Sequence, residues 1–243
     1  MLIAFISDVH ANLPALQAAV ADAKKRGATR IICAGDITGY GPFPDGVCDF
    51  LHDGKIESIS GNYDIKVLDV IKNGKSAVAG LQKKKKAVVV WTAKNLKKTS
   101  RQYLKDLPES IEEELPGGHK LLVVHGSTIS NDDDIYPSIT ANGLKTKLKS
   151  ARPDILVCGH THIPFIKRVG AMLVINCGSA GHPVDGDPRP AYAILSIEGA
   201  KTSASIVRFA YNVKKVVVAL KKTSLPKGLQ KDYVEGTKRR FLE

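Results

Sequence analysis

The chain has 243 residues, 43% of them hydrophobic, so it is long enough to bury one large core. Its 36 Lys and Arg against 24 Asp and Glu give a formal net charge of +12, which attracts polyanions. No apolar run is long enough to span a membrane, and Met1–Ile6 is too short for a secretory signal. The four cysteines lack disulfide-scaffold or metal-site spacing. We therefore expect no membrane association, reduced thiols and a cytoplasmic location.

The N-terminal part of the chain predicts a parallel βαβ unit. Leu2–Ile6 is a continuous apolar run typical of a buried strand, Asn12–Lys25 has the apolar spacing of a helix, and Thr29–Ala34 predicts the next strand. The carboxyl ends of parallel strands meet at one sheet edge. We therefore expect Asp8 and Asp36 to lie side by side at that edge.

The rest of the chain predicts more strands with helices between them. Val47–Leu51 predicts a short helix, Ile56–Ser60 a short strand, and residues from about 65 to 107 a Lys-rich helical excursion. Further strands are predicted at Lys120–Val124, Asp154–Cys158, Phe165–Arg168, Met172–Asn176, Ala191–Ile197 and Thr202–Phe209. This pattern indicates two sheets packed face to face with helices outside. We expect one domain over 1–243, with a basic C-terminal extension from about 211 to 243.

Six short clusters carry residues that favour a metal site. They are Asp8-Val9-His10, Gly35-Asp36, Gly61-Asn62-Tyr63-Asp64, His125-Gly126, Gly159-His160-Thr161-His162 and Asn176-Cys177-Gly178-Ser179. The first five follow apolar, β-branched runs, where a strand passes into a loop. Loops at strand ends are where sites are built. Together the clusters favour a two-metal site and hydrolysis of a phosphate ester.

A two-metal site needs a carboxylate between ions that lie roughly 3.5–4 Å apart, and Asp36 is the candidate for that bridge. One ion would also be held by Asp8, His10 and one of the late histidines, His160 or His162, and the second by Asn62, His125 and the other late histidine. Mixed imidazole and carboxylate ligands suit Mn, Fe, Zn, Co or Ni more than Ca. Any single histidine of this set has a structural role as its alternative.

These clusters resemble the pattern of the calcineurin-like metallophosphoesterase superfamily, which is D-x-H, G-D, G-N-H-[DE], H and G-H-x-H. Asp8–Leu16, Gly35–Pro42, Asn176–Ser179 and Asp185–Arg189 are similar to its small prokaryotic phosphodiesterase-like and diadenosine-tetraphosphatase-like branch. The resemblance extends from residue 2 to about residue 211. It implies an α/β fold, a four-layer α/β/β/α sandwich of two mixed sheets, and a divalent-metal-dependent phosphoesterase with a metal-bridging water or hydroxide as nucleophile.

The resemblance also implies a role for each matching residue. It assigns to one ion Asp8, His10, Asp36 and His162, and to the other Asp36, Asn62, His125 and His160. The residues expected to act in catalysis are Asp36, Asn62, Tyr63 and His125.

Tyr63 departs from the family pattern, which has at that position a histidine that contacts phosphate and assists the leaving group. A neutral phenol with a pKa of about 10 donates a hydrogen bond but adds no positive charge. We therefore expect diesters, anhydrides or activated esters to be preferred over monoesters with poor leaving groups. The alternative is that Tyr63 only packs or shapes the mouth of the site.

Other polar residues near the clusters have two interpretations each. Asp64 either orients Tyr63 or caps the next helix, and capping is favoured. His182 is a candidate substrate contact, with a surface or structural role as the alternative. Asp132-Asp133-Asp134 favours a solvated loop over a further metal site, and the loop remains a candidate for setting specificity.

Three functions follow from these observations. The first is a phosphoesterase with two divalent ions acting on a small phosphodiester, a dinucleoside polyphosphate or a related nucleotide. The second is a catalytically silent, metal-binding scaffold for protein partners, against which every expected ligand position holds a competent residue. A nuclease ranks last, because the basic clusters near Lys83–Arg101 and Lys214–Arg240 favour solvated helix faces and no nucleic-acid fold signature accompanies them. A homo-oligomer is compatible with all three.

Overall fold

The structure, a computed structural model, describes residues 1–237, and within them it contains ten strands and eight α-helices. In chain order these are β1 Leu2–Ile6, α1 Leu13–Lys25, β2 Arg30–Cys33, α2 Pro44–Asp53, β3 Glu57–Ser58, α3 Asn62–Asn73, α4 Lys83–Asn95, α5 Lys98–Asp106, β4 Ser110–Leu115, β5 His119–Val124, α6 Ala141–Leu148, β6 Ile155–Cys158, β7 Phe165–Val169, β8 Met172–Asn176, β9 Ala191–Glu198, β10 Lys201–Arg208, α7 Val213–Leu220 and α8 Leu229–Glu235. A 3₁₀ turn, Gly74–Val78, joins α3 to α4.

The strands form two mixed, five-stranded sheets. The first has the order β10-β9-β1-β2-β3, and the second has the order β4-β5-β6-β8-β7. β1 is parallel to β2, with Ile3 opposite Arg30, and β2 is parallel to β3. In the second sheet β5, β6 and β8 are parallel to one another. The predicted βαβ opening is confirmed, and each sheet presents the carboxyl ends of three parallel strands at one edge.

Side-chain alternation along the strands produces the layers. In β1, Ile3 and Phe5 face the core between the sheets, whereas their neighbours face the helical layer outside the first sheet. In β5, Leu121 and Val123 enter the same central core. Leu122 faces the other way, into a cluster with Leu144 and Leu148 of α6. The predicted four-layer α/β/β/α sandwich of two mixed sheets is therefore the observed fold.

The region predicted to be a helical excursion contains α3, α4 and α5, which pack on the first sheet. Its apolar residues Val88, Leu96 and Leu104 are buried. The predicted basic extension contains α7 and α8, whose Val216 and Tyr233 are buried in the same layer. Residues 238–243 of that extension lie outside the described residues. We propose that the chain forms one domain, since both regions join the core that α1 forms with the first sheet.

The structure adds one strand that the sequence analysis did not assign. β4 places three consecutive glutamates, Glu112–Glu114, on the edge of the second sheet, where it pairs antiparallel with β5. Charged residues are depleted in strands but are common on exposed edges, where they prevent edge-to-edge association. Within residues 1–237, no helix has both the length and the apolar character that a membrane span requires.

Candidate metal centre

The seven predicted ligands converge from the carboxyl ends of strands in both sheets. Asp8 and His10 follow β1, Asp36 follows β2, and Asn62 begins α3 directly after β3. His125 follows β5 in the second sheet. His160 and His162 complete the set, and both follow β6. The two-sheet architecture therefore explains why residues up to 154 positions apart in the chain, from 8 to 162, form one site.

Four of these residues form a compact, buried cluster. The ligand atoms of Asp8, His10, Asp36 and His162 all lie within 4.8 Å of one another, and each side chain is at most 3% exposed. His162 Nε2 lies 3.1 Å from Asp8 Oδ1 and 3.0 Å from His10 Nε2. His10 Nε2 also lies 3.5 Å from Asp36 Oδ2. Two imidazoles and two carboxylates thus face one small volume.

The protons on these imidazoles point away from that volume. His10 Nδ1 lies 3.1 Å from the carbonyl oxygen of Thr38, and His162 Nδ1 hydrogen-bonds the carbonyl oxygen of His182. A carbonyl oxygen only accepts, so we assign the proton of each neutral ring to Nδ1 and a lone pair to Nε2. Burial lowers the pKa of His10 to about 3, which keeps the ring neutral. Within residues 1–237, Asp8 Oδ1 is buried and has no hydrogen-bond partner. Lone pairs and carboxylates that face each other in this way fit a cation.

A second group lies on the other side of Asp36. His125 Nδ1 donates to the carbonyl oxygen of Ala34 at 2.8 Å, and its Nε2 lies 3.2 Å from Asn62 Oδ1. His125 Nε2 is also 3.5 Å from Asp36 Oδ1. The two oxygens of Asp36 therefore face one histidine of each group, since Oδ2 faces His10. This is the placement that a bridging carboxylate requires.

The charges of this site favour a cation over a neutral interior. Burial favours the uncharged form of Asp8, but the neighbouring imidazoles of His162, His125 and His10 hold its pKa well below the usual range. Burial likewise opposes a proton on His125, yet Asp36 and Asp8 raise the pKa of His125 to about 10. A proton on His125 would therefore compensate part of the negative charge of Asp36 and Asp8.

His160 lies nearer the mouth than the other histidines. Its side chain is 15% exposed, its ring meets the ring of His125 edge-on at 5.3 Å, and its Nε2 lies 3.5 Å from Asp134 Oδ1. Its backbone N–H donates to Asp8 Oδ2 at 3.0 Å. The carboxylate of Asp8 thus fixes the loop of His160 through Oδ2 and faces the other members of the four-residue cluster through Oδ1.

The sixth sequence cluster positions the ligands and contributes none itself. Asn176 Nδ2 donates to the carbonyl oxygen of Gly159 at 2.8 Å and to Thr161 Oγ1 at 3.0 Å, which fixes the loop between the two late histidines. Ser179 Oγ donates to the carbonyl oxygen of Asp8 at 2.8 Å. The loops after β1 and β6 are therefore tied to the end of β8 and the segment that follows it.

An aromatic layer covers one side of His10. The rings of Tyr40 and Tyr63 both meet His10 edge-on, with centroids 4.9 and 5.1 Å away, and their hydroxyls hydrogen-bond each other. His182 stacks on Tyr40 at 4.4 Å and is only 6% exposed. Burial lowers the pKa of His182 to about 4. The sequence analysis named His182 as a candidate substrate contact. In the structure it lies behind the candidate ligands.

Asp64 has the capping role that the sequence favours, together with a second one. Its carboxylate accepts from the backbone N–H of Gly61 at 3.0 Å at the start of α3. It also accepts from the backbone N–H groups of Ile37 and Thr38 at 3.1 and 2.8 Å. Burial raises the pKa of Asp64 to about 6. Asp64 therefore connects the Asp36 loop to the helix that carries Asn62.

A cavity of about 450 Å³ opens over the site. It is lined by Asp36, Asn62, Tyr63, Lys85, Asp132, Asp134, Tyr136, His160 and His162. Asp132 Oδ1 accepts from Asn62 Nδ2 at 2.7 Å and pairs with Lys66, so the amide oxygen of Asn62 is directed to His125. The Asp132–Asp134 segment, expected to be a solvated loop, is half exposed but also forms one wall of the cavity.

Sequence reasoning did not identify three residues of this surface. Lys85 and Tyr136 line the cavity, and Tyr40 supports Tyr63. In the sequence, Lys85 is distinguished only as part of a basic run, and no pattern distinguishes Tyr136. Tyr40 lies in the Gly39-Tyr40-Gly41 turn, which carried the family resemblance but no assigned role.

The fold and the site together define an α/β-sandwich protein with a buried carboxylate–imidazole centre suited to metal ions. Residues 1–200 match the family model of the calcineurin-like phosphoesterase superfamily domain, and the chain belongs to this superfamily. The family suggested by the sequence pattern is therefore confirmed.

Known proteins similar to this chain agree with that assignment. The uncharacterized protein MJ0912 of Methanocaldococcus jannaschii is 32% identical over 94% of this chain and 95% of its own length. The phosphodiesterase YfcE of Escherichia coli is 24% identical, over 77% of this chain and 84% of its own. A solved metallophosphoesterase from Sphaerobacter thermophilus is 27% identical, covers 98% of this chain and 100% of its own, and superposes with a TM-score of 0.79.

Proposed function

We propose that the protein is a divalent-metal-dependent phosphoesterase that hydrolyses a phosphodiester or a nucleotide phosphoanhydride. The observation that carries this proposal is the convergence of proton-free imidazole nitrogens on two carboxylates. His10 and His162 direct their Nδ1 protons to backbone carbonyl oxygens, and Asp8 Oδ1 has no hydrogen-bond partner among the described residues. Membership of a phosphoesterase superfamily supports the reaction class.

Two divalent ions fit the donor set, and Mn, Fe, Zn, Ni and Co are the candidates. The residues that would hold the first are Asp8, His10, Asp36 and His162, and those that would hold the second are Asp36, Asn62, His125 and His160. When bound, such a pair supplies an activated water as nucleophile and neutralises charge on the phosphoryl group.

The remaining catalytic assignments concern the residues at the floor of the cavity. Of the residues expected to act in catalysis, Asp36, Asn62 and Tyr63 line it, so a phosphoryl group that enters meets them directly. The fourth, His125, is buried and lies 3.2 Å from Asn62 Oδ1. The hydroxyl of Tyr63 is hydrogen-bonded to Tyr40 and is neutral, which supports the mouth-shaping role and supplies no positive charge to a leaving group. We therefore propose that phosphodiesters and anhydrides are better substrates than monoesters, in line with the similarity of the chain to the phosphodiesterase YfcE.

The test is hydrolysis of bis-p-nitrophenyl phosphate and p-nitrophenyl phosphate by metal-stripped protein with Mn, Ni, Zn, Co or Mg added back. Asp36→Ala and His125→Ala are expected to abolish turnover, whereas His52→Ala, at an exposed histidine on α2, is the matched control and is expected to retain it. Tyr63→His is expected to raise monoester hydrolysis relative to diester hydrolysis. Stoichiometric metal binding without turnover of any ester or dinucleotide would favour the scaffold function instead.

We also propose a cytoplasmic location and a small phosphate ester or nucleotide, in preference to nucleic acid, as the substrate. All four cysteines, Cys33, Cys48, Cys158 and Cys177, are buried and free, which is typical of a reducing compartment. Salt-sensitive binding of DNA or RNA at micromolar concentration would contradict the second proposal and would favour a nuclease.

A further inference from the structure

A second groove lies on the helical layer outside the first sheet. It has a volume of about 640 Å³ and lies along α7, with Phe43, the residue before α2, also in its lining. From α7 and the turn that follows it come Lys214, Lys215, Val218, Ala219 and Lys222. None of the candidate metal ligands lines this α7 groove. A role for it is therefore separate from the chemistry of the metal centre.

The α7 groove is positively charged. Its lining contains three lysines and, among the described residues, no Asp or Glu. Lys214, Lys215 and Lys222 are exposed, and none of their ammonium groups has an ion pair or a hydrogen bond within residues 1–237. Each ammonium group therefore gains a charge-assisted contact when a carboxylate binds. The net charge of +12 also favours an acidic partner.

An apolar residue lies between these lysines. Val218 is 54% exposed, four residues after Lys214 and four before Lys222. Residues four apart share one face of a helix, and the backbone N–H of Lys222 still donates to the carbonyl oxygen of Ala219 at 3.0 Å. Val218 therefore has a lysine one turn before it and another one turn after it. A single exposed valine is ordinary, but this one shares a groove with the half-buried Phe43.

The packing of α7 makes this surface rigid. Val216 and Leu220, on the opposite face of the helix, are buried in the layer that also contains Tyr233 of α8. The side chain of Asn212 accepts from the backbone N–H of Lys215 at 3.3 Å and caps the helix. The fold therefore holds α7 through its inner face, and the stripe of lysines around Val218 remains exposed. A rigid surface of this kind lowers the entropy cost of binding a partner.

Three other occupants fit the α7 groove less well than an acidic protein. A second copy in a two-fold dimer would bring the same patch against itself, so that lysines face lysines. A helix on a membrane surface buries its own apolar face in lipid, whereas Val216 and Leu220 are buried inside the protein. A nucleic acid would pair with the lysines but would gain little from the exposed Val218.

We propose that the α7 groove binds an acidic helical segment of a partner protein, in which a large apolar side chain has a carboxylate one turn before it and one turn after it. Lys214 and Lys222 are eight residues apart, about 12 Å along a helix, and two acidic residues eight apart on the partner helix span the same distance. The apolar side chain between them then lies against Val218 and Phe43. This proposal does not depend on the proposed function.

The test is titration of isotope-labelled protein with a synthetic helical peptide, followed by NMR, which locates the site and detects weak binding. The peptide has about 16 residues of alanine and glutamine, a central leucine, and a glutamate four residues before and after it. Peak shifts are expected at Phe43 and along α7, with a Kd below about 1 mM at low salt. Replacing both glutamates by glutamine, or the leucine by alanine, is expected to weaken binding at least about threefold.

Variants of the protein separate the α7 groove from the general charge. Lys215→Glu is expected to weaken the peptide about five- to tenfold, because an attraction becomes a repulsion, and Val218→Ser about threefold. Lys145→Glu makes the same charge change at an exposed lysine of α6, on the far side of the second sheet, and is expected to bind as wild type does. Thermal unfolding is expected to show all three folded, since each side chain is exposed.

Other results would overturn the proposal. They are a Kd for the peptide above about 1 mM, equal binding of all three peptides, peak shifts outside the α7 groove, and the same loss in Lys145→Glu as in Lys215→Glu. Tighter, Lys215-dependent binding of phosphatidylserine vesicles or of a single-stranded oligonucleotide would assign the groove to a membrane or a nucleic acid instead. A dimer in sedimentation that Val218→Ser dissociates would assign it to a second copy. Peptide binding by a protein that hydrolyses no ester would retain the groove's assignment and overturn only the proposed function.

Discussion

Asp8→Asn tests whether the four-residue cluster binds a metal ion. The change keeps the shape of a side chain that is 0% exposed and removes the charge of Oδ1, which faces the imidazoles of His162, His10 and His125 at 3.1, 3.8 and 4.0 Å. The amide oxygen of the variant can keep the 3.0 Å hydrogen bond from the backbone N–H of His160. The variant is therefore expected to fold and to lose affinity for metal.

The size of the effect follows from linkage. A ligand at 100 times its Kd stabilises the folded state by about 2.7 kcal/mol, which for a chain of this length raises the unfolding midpoint by about 5–11 °C. Loss of an outer-shell partner typically weakens a site by about 10–100-fold, and loss of a direct ligand is expected to reach the upper end or more. At 100-fold weaker binding the same metal concentration gives about 0.4 kcal/mol, a shift of about 1–2 °C.

The assay is thermal unfolding of metal-stripped protein with and without added Mn or Zn. Wild type and Asp53→Asn, a control at an exposed aspartate, are expected to show the full shift. Asp8→Asn is expected to show little, with a midpoint in chelator close to that of wild type. An equal metal-dependent shift in Asp8→Asn and wild type would refute the assignment of Asp8 as a ligand, as would the absence of any shift in wild type.

Three further changes probe the elements that position the site. Asp132→Ala removes the acceptor that orients the Asn62 amide, and calorimetry is expected to show about 10–100-fold weaker binding of the second ion; unchanged affinity would refute the orienting role. Gly159→Ala would place a Cβ against Ser7 Oγ and Asp8 Oδ2, so a lower unfolding midpoint is expected with and without metal. Leu144→Ala is expected to cost about 2–5 kcal/mol in denaturant unfolding, with metal stoichiometry retained, because α6 packs on the far side of the second sheet.

The parts of this fold that the sequence predicts well are those fixed by local pattern. Leu2–Ile6 and Ile155–Cys158 are apolar runs that form buried parallel strands, and a polar ligand follows each of them. Because the carboxyl ends of parallel strands meet at one edge of a sheet, these runs made the polar residues after them candidates for one site, and the family resemblance supplied their division between two ions. The strand Ser110–Leu115 was not predictable in this way, since its glutamates are tolerated only because the strand is an edge partner of β5.

The rim of the site depends on tertiary packing and left no comparable signal. Lys85 follows Asn62 by 23 positions and belongs to a helix with no motif, and its place above the cavity is set by the packing of α4 on the first sheet. Asp132 resembled a solvated residue because a run of three aspartates has no fixed geometry in sequence. Its bond to Asn62 and its pairing with Lys66 exist only once α3 and the loop after β5 are adjacent.

The backbone at the ligands shows how the protein keeps this arrangement. Asp8, His10, Asp36, His160 and His162 all have positive φ, between 48° and 63°. Non-glycine residues in this region cost of order 1–3 kcal/mol each and persist only where the surroundings enforce them.

Here the surroundings are backbone hydrogen bonds between the ligand loops. The N–H of Asp8 donates to the carbonyl oxygen of Gly35 at 3.0 Å, that of His10 to Asp36 at 2.8 Å, and that of Gly159 to His125 at 2.9 Å. These bonds connect the loops within each sheet and involve no metal ion. The positions of the candidate ligands are therefore set by the fold, so we expect metal binding to need little reorganisation of the loops, and we expect a variant such as Asp8→Asn to change affinity without removing the site's shape.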